Sequence, residues 1–241
     1  MTNLDEAGAH EFAATFLPLY HHPTVKIRIS SSDYEYEISK YLLCKDSTYF
    51  TAMFEGNFVE REQQVASLEE VEGVVSVRSF EALIQWLYMC RVQFDSEDPE
   101  DQISTIIELV RFADMCNITG MESQMAQYIK DILVASPKDE NLCRHIDTNT
   151  YYLTRQHIIW ATFLPPGHLV RRTLAAASVE GYLRGEDYKF EQETHEYPSF
   201  GADLLQEVRS ILDGLNVIYG EVTLEDPISG TKISINLDLD F

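Results

Sequence analysis

Residues 24–39, TVKIRISSSDYEYEIS, constrain the fold more than any other stretch of the chain. Val25, Ile27 and Ile29 alternate with Lys26, Arg28 and Ser30; Ser31-Ser32-Asp33 supplies turn chemistry; Tyr34, Tyr36 and Ile38 then alternate with Glu35, Glu37 and Ser39. Successive side chains of an extended chain point to opposite sides, so a period of two puts one apolar and one wet face on each strand. The segment is predicted to be a β-hairpin in which Lys26 and Arg28 meet Glu35 and Glu37 across the strands.

The cover for its apolar face follows directly. Tyr41-Leu42-Leu43-Cys44 gives one apolar turn, and Ser47 is placed to cap a second helix whose Tyr49, Phe50, Met53 and Phe54 share one face until Gly56 ends the pattern. Two short helices under a hairpin result. The residues from Glu60 to Gln64 are polar, and Val65 to Leu68 read as a further strand. Phe80, Leu83, Ile84 and Leu87 then fall at helical spacing with Ser79 as the expected cap. The acidic run from Asp95 to Asp101 reads as a solvated connection, after which Ile106, Leu109, Val110 and Ala113 repeat the helical spacing. Met121, Met125, Tyr128, Ile129, Ile132 and Leu133 form another helix that stops before Ser136-Pro137, because a residue preceding proline is biased away from helical geometry. Pro137 is the expected domain boundary. Residues 1–23, interrupted by Pro18 and Pro23, form an N-terminal arm, and residues 24–136 the first domain.

Residues 137–241 are mostly helical in pattern. Thr154 is placed to cap residues 156–164, Leu169 to Leu183 make one helix, and Leu205, Val208, Leu212 and Leu215 mark the face of another. Val222 and Leu224, then Ile233, Ile235, Leu237 and Leu239, alternate around Asp226-Pro227 and Gly230 as a terminal β-hairpin. The predicted class is α+β, a small sheet with flanking helices followed by a mostly helical C-terminal domain.

Charge narrows the function. Eighteen Lys and Arg against 40 Asp and Glu leave −22 over 241 residues, which repels a phosphate backbone or an anionic membrane and points to protein partners. Arg171-Arg172, the densest basic spot, reads as a solvated face or a local salt-bridge donor. No apolar run approaches the roughly 18–20 residues that span a bilayer. Cys44, Cys90, Cys116 and Cys143 lack a CxxC spacing, and the N-terminus has no basic region leading into an apolar run, so the chain reads as intracellular with reduced thiols. Gly-rich phosphate loops, GxSxG, HExxH and EF-hand patterns are all missing, and His21-His22, His157, His168 and His195 read as ordinary surface residues. The sequence therefore offers no catalytic, metal-binding or cofactor-binding constellation, and the expected activity is non-enzymatic.

The order of motifs resembles the BTB (POZ) domain over residues 24 to about 136. Ile38-Ser39-Lys40, Leu42-Leu43 and Ser47-Thr48-Tyr49-Phe50 fill the places of the family's strand-end step, leucine and Ser-x-Tyr-Phe string. Phe80, Trp86-Leu87-Tyr88 and Ala113-Asp114-Met115-Cys116-Asn117-Ile118 match its later pattern. Gly56-Asn57-Phe58-Val59-Glu60 and the helical C-terminal region are similar to fungal members. The resemblance implies homo- or hetero-oligomerisation, recruitment of a cullin ubiquitin-ligase scaffold, or docking of other partners. Ser39 replaces the family's histidine, and Phe94-Asp95-Ser96-Glu97 lacks the apolar-x-Glu triplet of many cullin adaptors. Apolar side chains left over from the core would form the interface, with tyrosine the expected anchor type: Phe12, Phe16 and Tyr20 in the arm, Tyr34, Tyr36 and Tyr41 around the hairpin, and Phe94.

Overall fold

The computed structural model of the chain describes residues 23–135, 148–184, 188–213, 216–218 and 221–235. Phe12, Phe16 and Tyr20 of the arm, the boundary at Pro137, Cys143, and Leu237 and Leu239 of the terminal hairpin lie outside the described residues. The chain divides into two compact units: one contains residues 23–97 with Ser104–Met121, the other Asp98–Ile103 with the residues from Glu122 onward.

The first unit is built on the expected hairpin. β1 (Thr24–Ile29) and β2 (Glu35–Ser39) pair antiparallel from Thr24↔Ser39 to Arg28↔Glu35. β3 (Val65–Leu68) joins β1 in parallel, giving the order β2-β1-β3. Val25, Ile27 and Ile29 are fully buried, as the alternation requires, and Lys26 and Arg28 both bridge to Glu35 at 2.7 Å. That bridge occupies the exposed face.

Helices α1 (Lys40–Lys45) and α2 (Thr48–Glu55) bury Leu42, Leu43, Phe50 and Phe54. The Ser47 hydroxyl accepts the Phe50 N–H at 3.2 Å, so the predicted cap is in place. Gly56 ends α2 by close approach: a Cβ there would collide with the Ala52 carbonyl oxygen, which accepts the Gly56 N–H at 3.0 Å. The polar stretch that follows is itself a short helix, α3 (Val59–Gln63), stopped by Gln64 in the left-handed region.

Helix α4 (Val77–Met89) starts earlier than its apolar spacing implies. Ser76 is the N-cap, and Ser79 completes a reciprocal capping box by accepting the Ser76 N–H at 2.9 Å. Helix α5 (Pro99–Met115) absorbs the end of the acidic stretch: Pro99 needs no N–H partner in a first turn, and Glu100 and Asp101 complement the positive end of the helix dipole. It ends in a Schellman arrangement. Asn117 is left-handed, the Ile118 N–H reaches the Ala113 carbonyl at 2.8 Å and the Asn117 N–H the Asp114 carbonyl at 3.0 Å.

In the second unit, α6 (Glu122–Val134) packs against α8 (Leu169–Ala177), and α8 against α11 (Pro198–Leu212). Between them in sequence lie α7 (Arg155–Ala161), α9 (Val179–Arg184) and α10 (Glu191–Glu196). The single helix expected over Leu169 to Leu183 is two, broken at Ser178, whose hydroxyl bonds back to the Leu174 carbonyl at 2.9 Å. Arg171 and Arg172 are salt-bridge donors. Buried Arg171 pairs with Asp203 and donates to the Leu164 and Ser199 carbonyls at 3.1 and 3.0 Å, and Arg172 pairs with Glu207 at 2.9 Å. Those carboxylates turn α11 so that Leu205 and Leu212, expected on its buried face, are exposed.

Thr154 caps α7, but His157, expected at the surface, is buried: its Nδ1 accepts the Thr154 N–H at 3.1 Å, completing a capping box. The terminal hairpin is present as β5 (Glu221–Glu225) and β6 (Lys232–Ile235), with β4 (Asn216–Ile218) on the other side of β5. Buried Asp226 organises its turn, accepting from the Ile228 N–H and the Ser229 hydroxyl, and takes a further bond from Asn149 at 2.9 Å.

Candidate protein-interaction surface

The backbone of β2 turns one side toward β1 and the other away from it. The Lys26 N–H donates to the Gln64 carbonyl and the Ser30 N–H to the Leu68 carbonyl, each at 2.9 Å, so even positions of the first strand face β3. Odd positions face β2, as the bond from the Lys40 N–H to the Pro23 carbonyl at 2.9 Å confirms. Tyr36 and Ile38, opposite Ile27 and Val25, therefore spend their main-chain groups on β1, and Glu35, Glu37 and Ser39 turn theirs outward. The outward Ser39 N–H is taken by the Tyr88 hydroxyl at 2.9 Å. The outward N–H and C=O groups of Glu35 and Glu37 have no hydrogen-bond partner among the described residues.

An aromatic column stands on the apolar side of this edge. Tyr34, 64% exposed, meets Tyr36 edge-on at 4.7 Å; Tyr36 meets Phe80 at 5.1 Å; Phe80 lies 6.2 Å from Phe112. The column runs from solvent into the core and anchors the edge strand to α4 and α5. The Tyr36 hydroxyl donates to Glu81 Oε1 at 2.7 Å. Burial, reinforced by that bond, pushes the Tyr36 phenol well above its ordinary range.

The opposite side of the strand is acidic and ordered. Glu35 accepts from both Lys26 and Arg28, and these bonds hold its carboxyl below the usual range, as the bond to Glu35 raises Lys26. Glu37 Oε1 accepts from the Thr24 hydroxyl at 2.6 Å. The strand edge thus presents Asp33, Glu35 and Glu37 in alternation with Tyr34 and Tyr36.

Of the expected anchors, the structure brings Tyr34 and Tyr36 together. Tyr41 is exposed on α1, and Phe94 is half-buried in the stretch after α4; neither enters the Tyr34–Tyr36 contact. Sequence reasoning missed Glu81 and Tyr88, whose bonds to the hairpin span 45 and 49 residues. It also passed over Phe58 and Val59 as exposed side chains, at 61% and 62%. The signal was available, since two adjacent apolar residues between Asn57 and Glu60 cannot share one helical face. Among the described residues no helix is long and apolar enough to cross a membrane, and no group of three or more His, Cys, Asp or Glu is placed to hold a metal ion.

A three-stranded sheet closed by helices, with an acidic and aromatic edge at which Glu35 and Glu37 have no main-chain partner among the described residues, defines an α+β module suited to recognising polypeptide. The chain carries a BTB/POZ domain: residues 20–133 match the model of that domain, which is a protein–protein interaction module. No curated protein matches the chain.

Proposed function

We propose that the chain is a non-enzymatic, intracellular interaction protein, in which a BTB/POZ domain over residues 24–136 associates with itself or binds another protein and the helical region over 137–241 extends the binding surface. The match to the domain model over residues 20–133 carries this reading. The aromatic residues on and beside the hairpin support it, with exposed Tyr34 and Tyr41 and partly buried Tyr36 as anchors, Phe94 as a secondary contact, and Phe12, Phe16 and Tyr20 contributing from the arm. Light scattering coupled to size-exclusion chromatography over a range of concentrations tests self-association. A mass that stays at the monomer throughout removes that half of the reading and leaves binding to other proteins.

Recruitment of a cullin scaffold is the narrower alternative, favoured by the exposed Phe58–Val59 pair as a second apolar docking point and weakened by the Phe94-Asp95-Ser96-Glu97 sequence. Capture of the folded chain by purified cullin scaffold establishes the adaptor role; failure of folded protein to bind excludes it.

A further inference from the structure

We propose that the outer edge of β2 accepts one further strand from a partner polypeptide, an extended segment alternating basic and apolar residues, registered against Glu35–Glu37. The proposal rests on the interaction-module reading and specifies where the partner binds and what it looks like.

The main chain sets the place. Glu35 and Glu37 each turn one N–H and one C=O outward without a partner among the described residues, and paired groups of this kind are what strand addition uses. The Tyr88 hydroxyl already occupies the Ser39 N–H, so the open edge ends there and the added strand is short.

The side chains set the chemistry. A strand lying beside β2 places alternate residues next to Glu35 and Glu37, with Asp33 at the turn, and the intervening ones next to Tyr36. Cations suit the first set and apolar side chains the second. The protein contains its own example: the inner edge of the same strand holds TVKIRI, with Lys26 and Arg28 on Glu35 and Ile27 opposite Tyr36.

A second copy of this edge is the wrong partner. Pairing β2 antiparallel with itself about Tyr36 would set each Glu35 opposite a Glu37, twice over, and like charges directly opposite each other are destabilising. Lys26 and Arg28 offset the charge of Glu35, so the repulsion is carried mainly by Glu37; the edge disfavours its own copy while remaining open to a basic strand.

The test uses the full-length chain, labelled for amide NMR and titrated with acetyl-TVKIRI-amide or with its charge-reversed counterpart acetyl-TVEIEI-amide. Binding of the basic peptide should shift amides of residues 34–38 and be about tenfold tighter than that of the acidic one, as reversal of two cross-strand charge pairs implies. Glu37→Pro removes an N–H that no described residue accepts and should abolish the shifts. Glu37→Lys keeps the backbone donor and should narrow or invert the charge preference, which keeps the test decisive should the proline variant misfold. Shifts absent from the edge, or equal binding of the basic peptide to wild type and a folded Glu37→Pro, overturn the proposal. Failure here leaves the interaction-module reading standing if Glu37→Pro retains every partner and oligomeric state of the wild type. That broader reading falls only if the wild type neither self-associates nor binds a partner.

Discussion

The Ser47 hydroxyl donates to the Cys116 carbonyl oxygen at 2.7 Å while accepting the Phe50 N–H at 3.2 Å, so one side chain starts α2 and closes the end of α5. The neighbouring contact, from Asn117 Nδ2 to the Thr48 hydroxyl at 3.3 Å, runs parallel to it. Two motifs almost seventy residues apart in the chain are thereby a single structural joint. Ser47→Ala removes a cap and strands a buried carbonyl, and should cost about 2–3 kcal/mol in urea unfolding. Ser47→Thr, which keeps the hydroxyl, should recover most of that loss. Equal stability of the alanine variant and wild type would show that water replaces the serine at no cost.

Among the described residues of the first unit, Glu108 is the buried charge. Its carboxylate, with the side chain 4% exposed, accepts from Arg78 Nε at 2.8 Å, Arg78 Nη2 at 2.5 Å and the Ser76 hydroxyl at 2.6 Å. Because Arg78 is itself partly in water, the pair adds modest stability, but removing only the arginine leaves the carboxylate poorly compensated. Arg78→Met should therefore destabilise by about 2 kcal/mol, and Arg78→Met with Glu108→Leu by less than Arg78→Met alone. A double variant that loses the full sum of the two single losses would show the residues to be uncoupled.

The hairpin was legible because period-two alternation admits one placement of Val25, Ile27 and Ile29 once a face is buried. The role of Ser47 was equally legible, since capping depends on residues only three apart. Apolar spacing alone failed for α11. Leu205, Val208 and Leu212 satisfy a helical stripe, yet the buried face carries Asp203, Leu204, Glu207 and Val208, because Arg171 and Arg172 from α8 require those carboxylates. Hydropathy scores such paired charges as surface. The interaction edge was half legible for a similar reason: Tyr34 and Tyr36 stand out by alternation, whereas the partners that tie the strand to α4, Glu81 and Tyr88, are set by tertiary packing with no local pattern.

Arg171 is expected to be the most sensitive polar position of the second unit. Its guanidinium is nearly inaccessible and divides its donors among Asp203, Leu164 and Ser199. Arg171→Met leaves Asp203 buried without its cation and should lower the stability of α8 and α11, read by amide hydrogen exchange, by about 3–5 kcal/mol. Arg171→Lys should recover only part, because an ammonium cannot reproduce a planar fork that serves three acceptors. Equal protection in wild type and Arg171→Lys would indicate that charge alone matters at this site.

Tyr36 gives the first unit an alkaline weakness. Burial first, and then the bond to Glu81, keep its phenol protonated in the folded state beyond the ordinary tyrosine value of about 10. The unfolded chain releases that proton near the ordinary value, so above it the folded state holds the extra proton and stability declines with rising pH. The contribution is complete below about pH 10 and disappears as pH climbs toward the raised folded value. In a chain carrying 13C at the tyrosine ζ-carbons, the Tyr36 signal should still report phenol at the pH where an unperturbed tyrosine is half-ionised, and Tyr36→Phe should remove one late-titrating step. The same substitution deletes the Glu81 bond, so the variant should be less stable at neutral pH and should lose less on going alkaline. A Tyr36 signal that titrates at the ordinary value would mean the hydroxyl is open to water, and the aromatic column from Tyr34 to Phe112 would then not be packed as described.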